Sequence, residues 1–434
     1  MGPKQKTQKR PPWTDEKGTP MCPTLPDSDQ PIRALVLSSV YPSARQPRHG
    51  LFVEERIRHL AELARIRVVS PVAWQKSLGN GFCTQEERQG IQIHHPRFWY
   101  LPRFQKEWDG ALMARSVRST VQRLAQEEPI DLIDAHFVWP EGFAALRLGQ
   151  ELGVPVCVTL RGTLEWLAED PARKDQMAQV VREADQLIAV SEPLAQRALD
   201  LGADASRVTV VTNGVDIERF QLRSKEQARK SLGLKTDAQW VVSVGHLSER
   251  KGFQDLIGIM GHLLATHPNT NLCIVGGGGA EGDNTEQLKS QAQEAGVAHK
   301  VHFLGPRSPE DVARALAAAD VFALASRYEG CPNVLLEALA SGRPVVASNV
   351  GEIPRLVTQA GGLVYGQAND RDALLRGLRE VLNTEWDPHG VRASVVQRTW
   401  HRTAQEVLEI WSRALHHATA KKAKPAATTT TNTP

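Results

Sequence analysis

Short aliphatic and β-branched runs alternate along most of the chain with longer segments of helical period. Strands are predicted at 33–37, 67–70, 132–135, 156–159, 187–190 and 208–211. After a break, further strands are predicted at 240–244, 272–275, 301–304, 321–324 and 344–347. None of them alternates strictly between apolar and polar, the pattern of strands buried on both faces by crossover helices. Strands separated by helices make a parallel sheet, so the fold class is α/β and doubly wound.

The charged stretch 219–235 interrupts this alternation and reads as a solvated linker. It separates an N-terminal domain, 31–218, from a C-terminal domain, 236–395, and a last helix is predicted at 396–418. Residues 1–30 are basic and then Pro-rich, and residues 419–434 are low in complexity; both are expected to be disordered tails.

Composition narrows the function. The chain has 434 residues with 52 Lys+Arg against 49 Asp+Glu, a net charge of +3, which argues against a protein built to coat nucleic acid. Its five cysteines are scattered with no C-x-x-C pair, so neither a disulfide framework nor a zinc site is expected. No stretch has the uninterrupted apolar length of a membrane span, and the basic N-terminus lacks the apolar core of a signal peptide. The expected location is cytoplasmic, with the inner face of the cell membrane as a further option.

Ligands of open parallel sheets bind beyond the carboxyl ends of the strands, and polar and glycine residues gather there in this chain. Two such edges facing each other would form a cleft. The most informative segment is 329–337, Glu-Gly-Cys-Pro-Asn-Val-Leu-Leu-Glu. Pro332 suits the first position of a helix, which would leave the N–H groups of Asn333, Val334 and Leu335 to bind an anion. Glu329 before the helix and Glu337 within it offer acceptors for hydroxyl groups. An anion site between two carboxylates suits a nucleotide-sugar, although a capped helix with solvated glutamates has the same sequence pattern.

Arg250 and Lys251 follow a strand and could neutralise a diphosphate leaving group. Gly50 precedes a helix whose N-terminus could meet a phosphate, and the glycine run 276–279 would allow close backbone approach to a ligand. His136 ends a strand and could bind a sugar hydroxyl near the reaction centre. Neither G-x-x-x-x-G-K-[ST] nor a G-x-G-x-x-G after the first strand is present, which disfavours kinase-type NTPases and dinucleotide oxidoreductases.

Taken together, these motifs resemble the retaining glycosyltransferases of family four, group one, with the GT-B fold of two Rossmann-like domains facing across a cleft. The resemblance rests on 329–337 and the following Ala-Leu-Ala-Ser-Gly-Arg-Pro-Val-Val-Ala-Ser as an E-x7-E signature. It rests also on Asn213-Gly-Val-Asp216 with Phe220, and on Gly305, Asp320 and Ser326 within F-L-G…A-D-V-F…S-x-x-E-G. It implies that Glu329 contacts the donor sugar, Glu337 the ribose, Lys251 the phosphate, Gly50 the diphosphate, and that His136 lies near the transferred sugar. It implies no metal and no cofactor beyond the nucleotide-diphosphate-sugar donor, and a glycan or lipid-linked acceptor. His246, Leu164 and Glu352 depart from the residues common in such enzymes, and Arg250 is the candidate for the second positive charge. The first domain is most similar to bacterial enzymes that build surface polysaccharides such as teichuronic acid.

Two other readings use the same residues: a nucleotide-sugar epimerase on this fold, and a non-catalytic nucleotide-sugar-binding partner of a polysaccharide assembly complex. Finally, the aromatic stretch 98–108 and the downstream Arg115, Arg118 and Arg123 suggest either core packing or a surface for a bilayer or lipid-linked acceptor.

Overall fold

The structure, a computed structural model, describes residues 30–78, 82–100, 105–164, 170–279 and 282–423. The chain forms two units, and it visits each more than once. Of the described residues, the first holds those from Gln30 to Val190, then Leu194–Val211 and the chain from Ala404 to Ala423; the second holds Ser191–Pro193 and those of Thr212–Thr403.

The sheet of the first unit contains β1 (Arg33–Leu37), β2 (Arg65–Val69), β4 (Gln85–Arg88), β5 (Ile91–His94), β7 (Leu132–His136), β8 (Val156–Leu160), β9 (Gln186–Ala189) and β10 (Val208–Val210). Their order is β10-β9-β8-β7-β1-β2-β5-β4, and only the β4–β5 pair is antiparallel. Two short strands, β3 (Val72–Ala73) and β6 (Arg97–Phe98), pair in parallel outside it. β7 and β8 are buried at every position, as central strands covered on both faces must be. The stretch from β3 to β6 is not among the predicted strands. Gln85–Arg88 is polar and sits at the sheet edge, so it carries no apolar run to read.

The helix Trp400–Ala423 supplies Ala404, Val407, Ile410, Trp411 and Ala414 to the core that also holds Val36, Ile57 and Leu132 of the first unit. It starts later than the helix predicted at 396–418 and runs past its end, taking in residues 419–423 of the expected C-terminal tail. The expected N-terminal tail, apart from Gln30, and residues 424–434 lie outside the described residues.

The second unit has a six-stranded, wholly parallel sheet: β11 (Gln239–Val244), β12 (Thr270–Val275), β13 (Val301–Gly305), β14 (Val321–Leu324), β15 (Val345–Ser348) and β16 (Gly362–Tyr365), ordered β13-β12-β11-β14-β15-β16. β16 was not among the predicted strands. The segment 219–235, expected as a solvated linker, groups with this unit, and most of its residues are exposed. The helix Lys225–Ser231 is capped by the Ser224 side chain, and buried Arg229 donates to Ala318 O at 3.0 Å, Thr236 O at 2.9 Å and Asp320 Oδ2 at 2.6 Å. The same Asp320 oxygen accepts from the Trp240 backbone N–H at 2.8 Å, so this aspartate ties the connector to β11. Among the described residues, no helix is long and apolar enough to cross a membrane.

Candidate active site

In the second unit the loops after β11 and β14 are bound to each other. Lys251 ends a short 3-10 turn, Glu249–Lys251, and its Nζ lies 2.6 Å from Glu329 Oε1. Ser326 Oγ donates to the same oxygen at 2.7 Å, and Arg250 Nη1 stands 3.7 Å from Oε2 while donating to Tyr328 O at 2.7 Å. The Glu329 side chain is only 8% exposed, so burial alone would raise its pKa. The charges of Lys251 and Arg250, with the bonds from Lys251 and Ser326, outweigh that and hold the carboxyl below its ordinary range. Glu329 is therefore an anion at neutral pH, held between two cations.

Glycines allow these loops to meet. Gly252 has φ 71°, and a Cβ there would lie 2.0 Å from Ala325 O; Gly351 has φ 54°, and a Cβ there would lie 2.0 Å from Glu329 O. The glycine run 276–279, expected to approach a ligand, is explained in part by its own neighbours: a Cβ on Gly276 would lie 1.8 Å from Gly245 O.

The helix Asn333–Ala340 begins one residue later than predicted, with Pro332 as its N-cap. Leu335 is also not an anion donor as expected, because its N–H donates to Pro332 O at 3.2 Å. Asn333 and Val334, its first two residues, have N–H groups that precede the helical ladder and suit an anion. Glu337 lies further along the same short helix. Asn213 was read as part of a turn, yet its buried side chain also donates to Cys331 O at 3.1 Å and Asn333 Oδ1 at 2.7 Å, fixing the loop that carries Glu329. Glu352, one of the unusual residues, is buried and accepts the Glu192 backbone N–H at 2.9 Å.

In the first unit, Gly50 (φ 83°) is the N-cap of the helix Leu51–Leu60, and a Cβ would fall 2.4 Å from Val40 O, so no larger residue fits. His136 ends β7 with its side chain wholly buried. Arg161 Nη2 lies 3.2 Å from its Nδ1. A guanidinium can only donate, so Nδ1 accepts and the ring proton sits on Nε2, 3.5 Å from Asp134 Oδ2. Burial, which Asp134 only partly offsets, lowers its pKa to about 4, so the ring is neutral at pH 7. Beside this edge, Ser39 donates to Glu141 Oε1 from its N–H at 3.1 Å and from its Oγ at 2.5 Å. Burial raises Glu141 to about 7 despite those bonds.

Sequence reading missed Ser326 as a partner of Glu329, Asn213 as its loop anchor, and the Glu141–Ser39 pair. Only the position of each residue after a strand hinted at them. Among the described residues, no group of three or more His, Cys, Asp or Glu is placed to hold a metal ion.

The second unit thus presents paired cations, a helix N-terminus and hydroxyl acceptors at one sheet edge, as suits a phosphate-linked sugar. Two family models cover most of the chain: Glycosyltransferase Family 4 matches residues 49–219, and Glycosyl transferases group 1 matches residues 224–397. A D-inositol 3-phosphate glycosyltransferase from Actinosynnema mirum is 31% identical over 75% of this chain and 83% of its own length. The putative teichuronic acid biosynthesis glycosyltransferase TuaC from Bacillus subtilis is 30% identical over the same shares. Among solved structures, Anabaena Alr3699/HepE in complex with UDP-glucose matches with a TM-score of 0.65 at 22% identity, covering 87% of this chain and 98% of its own. Sucrose-phosphate synthase from Thermosynechococcus elongatus matches with a TM-score of 0.70 at 20% identity, covering 90% and 98%. The fold is GT-B, and the chain belongs to the group 1, family 4 glycosyltransferases.

Proposed function

We propose that this glycosyltransferase is retaining and moves a sugar from a nucleotide-diphosphate-sugar to a glycan or lipid-linked acceptor in surface polysaccharide synthesis, at the inner face of the cell membrane. The observation that carries the reading is the Lys251–Glu329 contact at 2.6 Å with Arg250 beside it. These cations would turn to the diphosphate as its bond to the anomeric carbon breaks, and Asn333 and Val334 N–H groups would add to that field. Glu329 would then accept from sugar hydroxyls and Glu337 from the ribose. The acceptor oxygen would bond to the anomeric carbon on the face the diphosphate leaves, and its proton would pass to the departing diphosphate. Gly50 would lie by that diphosphate, and neutral His136 would act by hydrogen bonding, not as a base. With Lys251 and Arg250 neutralising the leaving group, the reading requires no metal and no separate cofactor. The relatives named for teichuronic acid and inositol phosphate transfer support the acceptor class only by similarity.

The test is nucleotide release from a panel of nucleotide-sugars, without added divalent metal, with the product anomer assigned by NMR. Lys251→Ala should slow turnover on the order of 100-fold or more. Unchanged turnover in that variant, or an inverted product, would sink the reading.

A further inference from the structure

The first unit carries a groove of about 750 Å³ whose lining contains none of the candidate active-site residues. It opens where the chain leaves β5, between that strand end and the helix Asp109–Glu127. Parallel pairing of β5 with β2, and of β2 with β1, puts it at the same sheet edge as the loops after β1 and β7. Its volume is in the range of ligand sites, roughly 300–1,000 Å³.

Its lining has one sign of charge. Arg97, Arg115 and Arg123 contribute three guanidinium groups, and no aspartate or glutamate lines it among the described residues. Arg123 shares its charge with Glu127 on the same helix, at 2.5 Å. The floor includes His94, a 3% exposed residue whose Nε2 has no hydrogen-bond partner among the described residues. Arg123 Nη2 approaches His94 Nδ1 at 3.4 Å, so Nδ1 is the acceptor and Nε2–H is a buried donor left for an oxygen ligand. Burial, and then the neighbouring Arg123, lowers the pKa of this histidine, which favours the neutral ring. Ser119 and Thr120 add hydroxyls along the helix side. Trp99, one of the aromatic residues of the stretch 98–108, is 55% exposed and stacks on Trp74 at 5.5 Å, while its neighbour Phe98 is buried.

A concave surface with cations, a buried donor, hydroxyls and an exposed indole matches a chain of sugars bearing negative charge. The cations take the acid groups, the polar groups take hydroxyls, and an indole face takes the apolar face of a pyranose. A bilayer fits less well, since interfacial binding needs a projecting apolar face and this lining is polar and recessed. We propose that this groove is a subsite for an acidic glycan and holds the already built part of a carboxylate- or phosphate-bearing acceptor. The inference rests on the reading of transfer to a glycan.

The probes are a hyaluronate octasaccharide, maltooctaose of equal length, and phosphatidylglycerol vesicles, titrated calorimetrically into the full-length protein at low and high salt. Hyaluronate should bind and weaken with salt, and maltooctaose should bind much less. An R97A/R115A double variant should lose roughly 5- to 20-fold in affinity, as expected for two exposed charges, and W99A should weaken it also. Arg118 lies on the same helix outside the lining and pairs with Glu151, so R118A should bind like wild type; melting curves check that all variants fold. The proposal is overturned by no hyaluronate binding, by equal binding of both oligosaccharides, by an indifferent double variant, or by binding to vesicles alone. Nucleotide release is followed separately. Hyaluronate binding without sugar-nucleotide turnover would count against the transferase reading, and turnover without groove binding would count against the groove alone.

Discussion

Ser326 is the residue whose effect is most specific to the chemistry proposed here. Its hydroxyl bonds the Glu329 oxygen that also meets Lys251, and a bond to a buried carboxylate is worth about 1.5–3 kcal/mol. Ser326→Ala should therefore cut kcat/KM about 10-fold at neutral pH and move the acid limb of the pH–rate profile upward, because Glu329 would protonate more easily. A uniform loss at every pH would assign Ser326 a packing role only. The sign for stability agrees: a carboxyl held below its ordinary pKa stabilises the fold above that value, and the contribution is lost as pH falls through the depressed pKa. Glu141 runs the other way. Its folded pKa of about 7 stands above the ordinary 4.5, so the native state binds the extra proton and stability falls as pH rises from about 4.5 through 7. The decline is on the order of 3 kcal/mol. Glu141→Gln imitates the protonated form, so urea unfolding should show its stability rising relative to the wild type across that interval; buried His136, lowered to about 4, contributes the opposite slope to both proteins and cancels in the difference. Parallel curves would mean that Glu141 ionises without penalty.

Elements were legible in the sequence wherever burial on both faces forced an aliphatic run, which is why β7, β8, β11, β12 and β14 were readable. The edge strand Gln85–Arg88 was not readable, because a strand paired on one side and wet on the other need not be apolar. The site divides the same way. Glu329 and Lys251 stand after strands and could be singled out as candidates, whereas Asn213 meets Cys331 and Asn333 across 118 and 120 residues of chain. No local pattern encodes such a pairing; it appears only once β14 and the Asn213 turn are built into one unit. Glycine placement falls between these cases, since sequence shows the residue but not what it abuts. Gly351→Ala tests this at the level of the loop. Its φ of 54° and the Glu329 carbonyl 2.0 Å from a would-be Cβ both oppose the methyl group. The variant should lose on the order of 1–3 kcal/mol of stability and bind donor nucleotide more weakly, since the displaced atom belongs to Glu329. Gly366, with open space around its missing Cβ, is the control, and similar losses in both would refute the contact argument.

At the scale of the molecule, the chain returns to the first unit after completing the second, and the two units have separate hydrophobic cores. Trp411 on the returning helix is wholly buried in the first of these cores, among residues such as Ile57 and Leu132. Replacing a buried Trp by Ala costs roughly 3–5 kcal/mol through lost transfer energy and the cavity left behind. If cores unfold as units, that cost should fall on the first unit and leave the second, with Lys251 and Glu329, intact. Calorimetry of Trp411→Ala should then show one transition moved down by several degrees and another unmoved. Under the proposed function, a nucleoside diphosphate should raise only the unmoved transition, because ligand bound to a folded unit stabilises that unit by mass action. A single transition shifted as a whole by either change would mean that the units melt together, and that the returning helix couples the donor site to a core almost entirely remote from it in sequence.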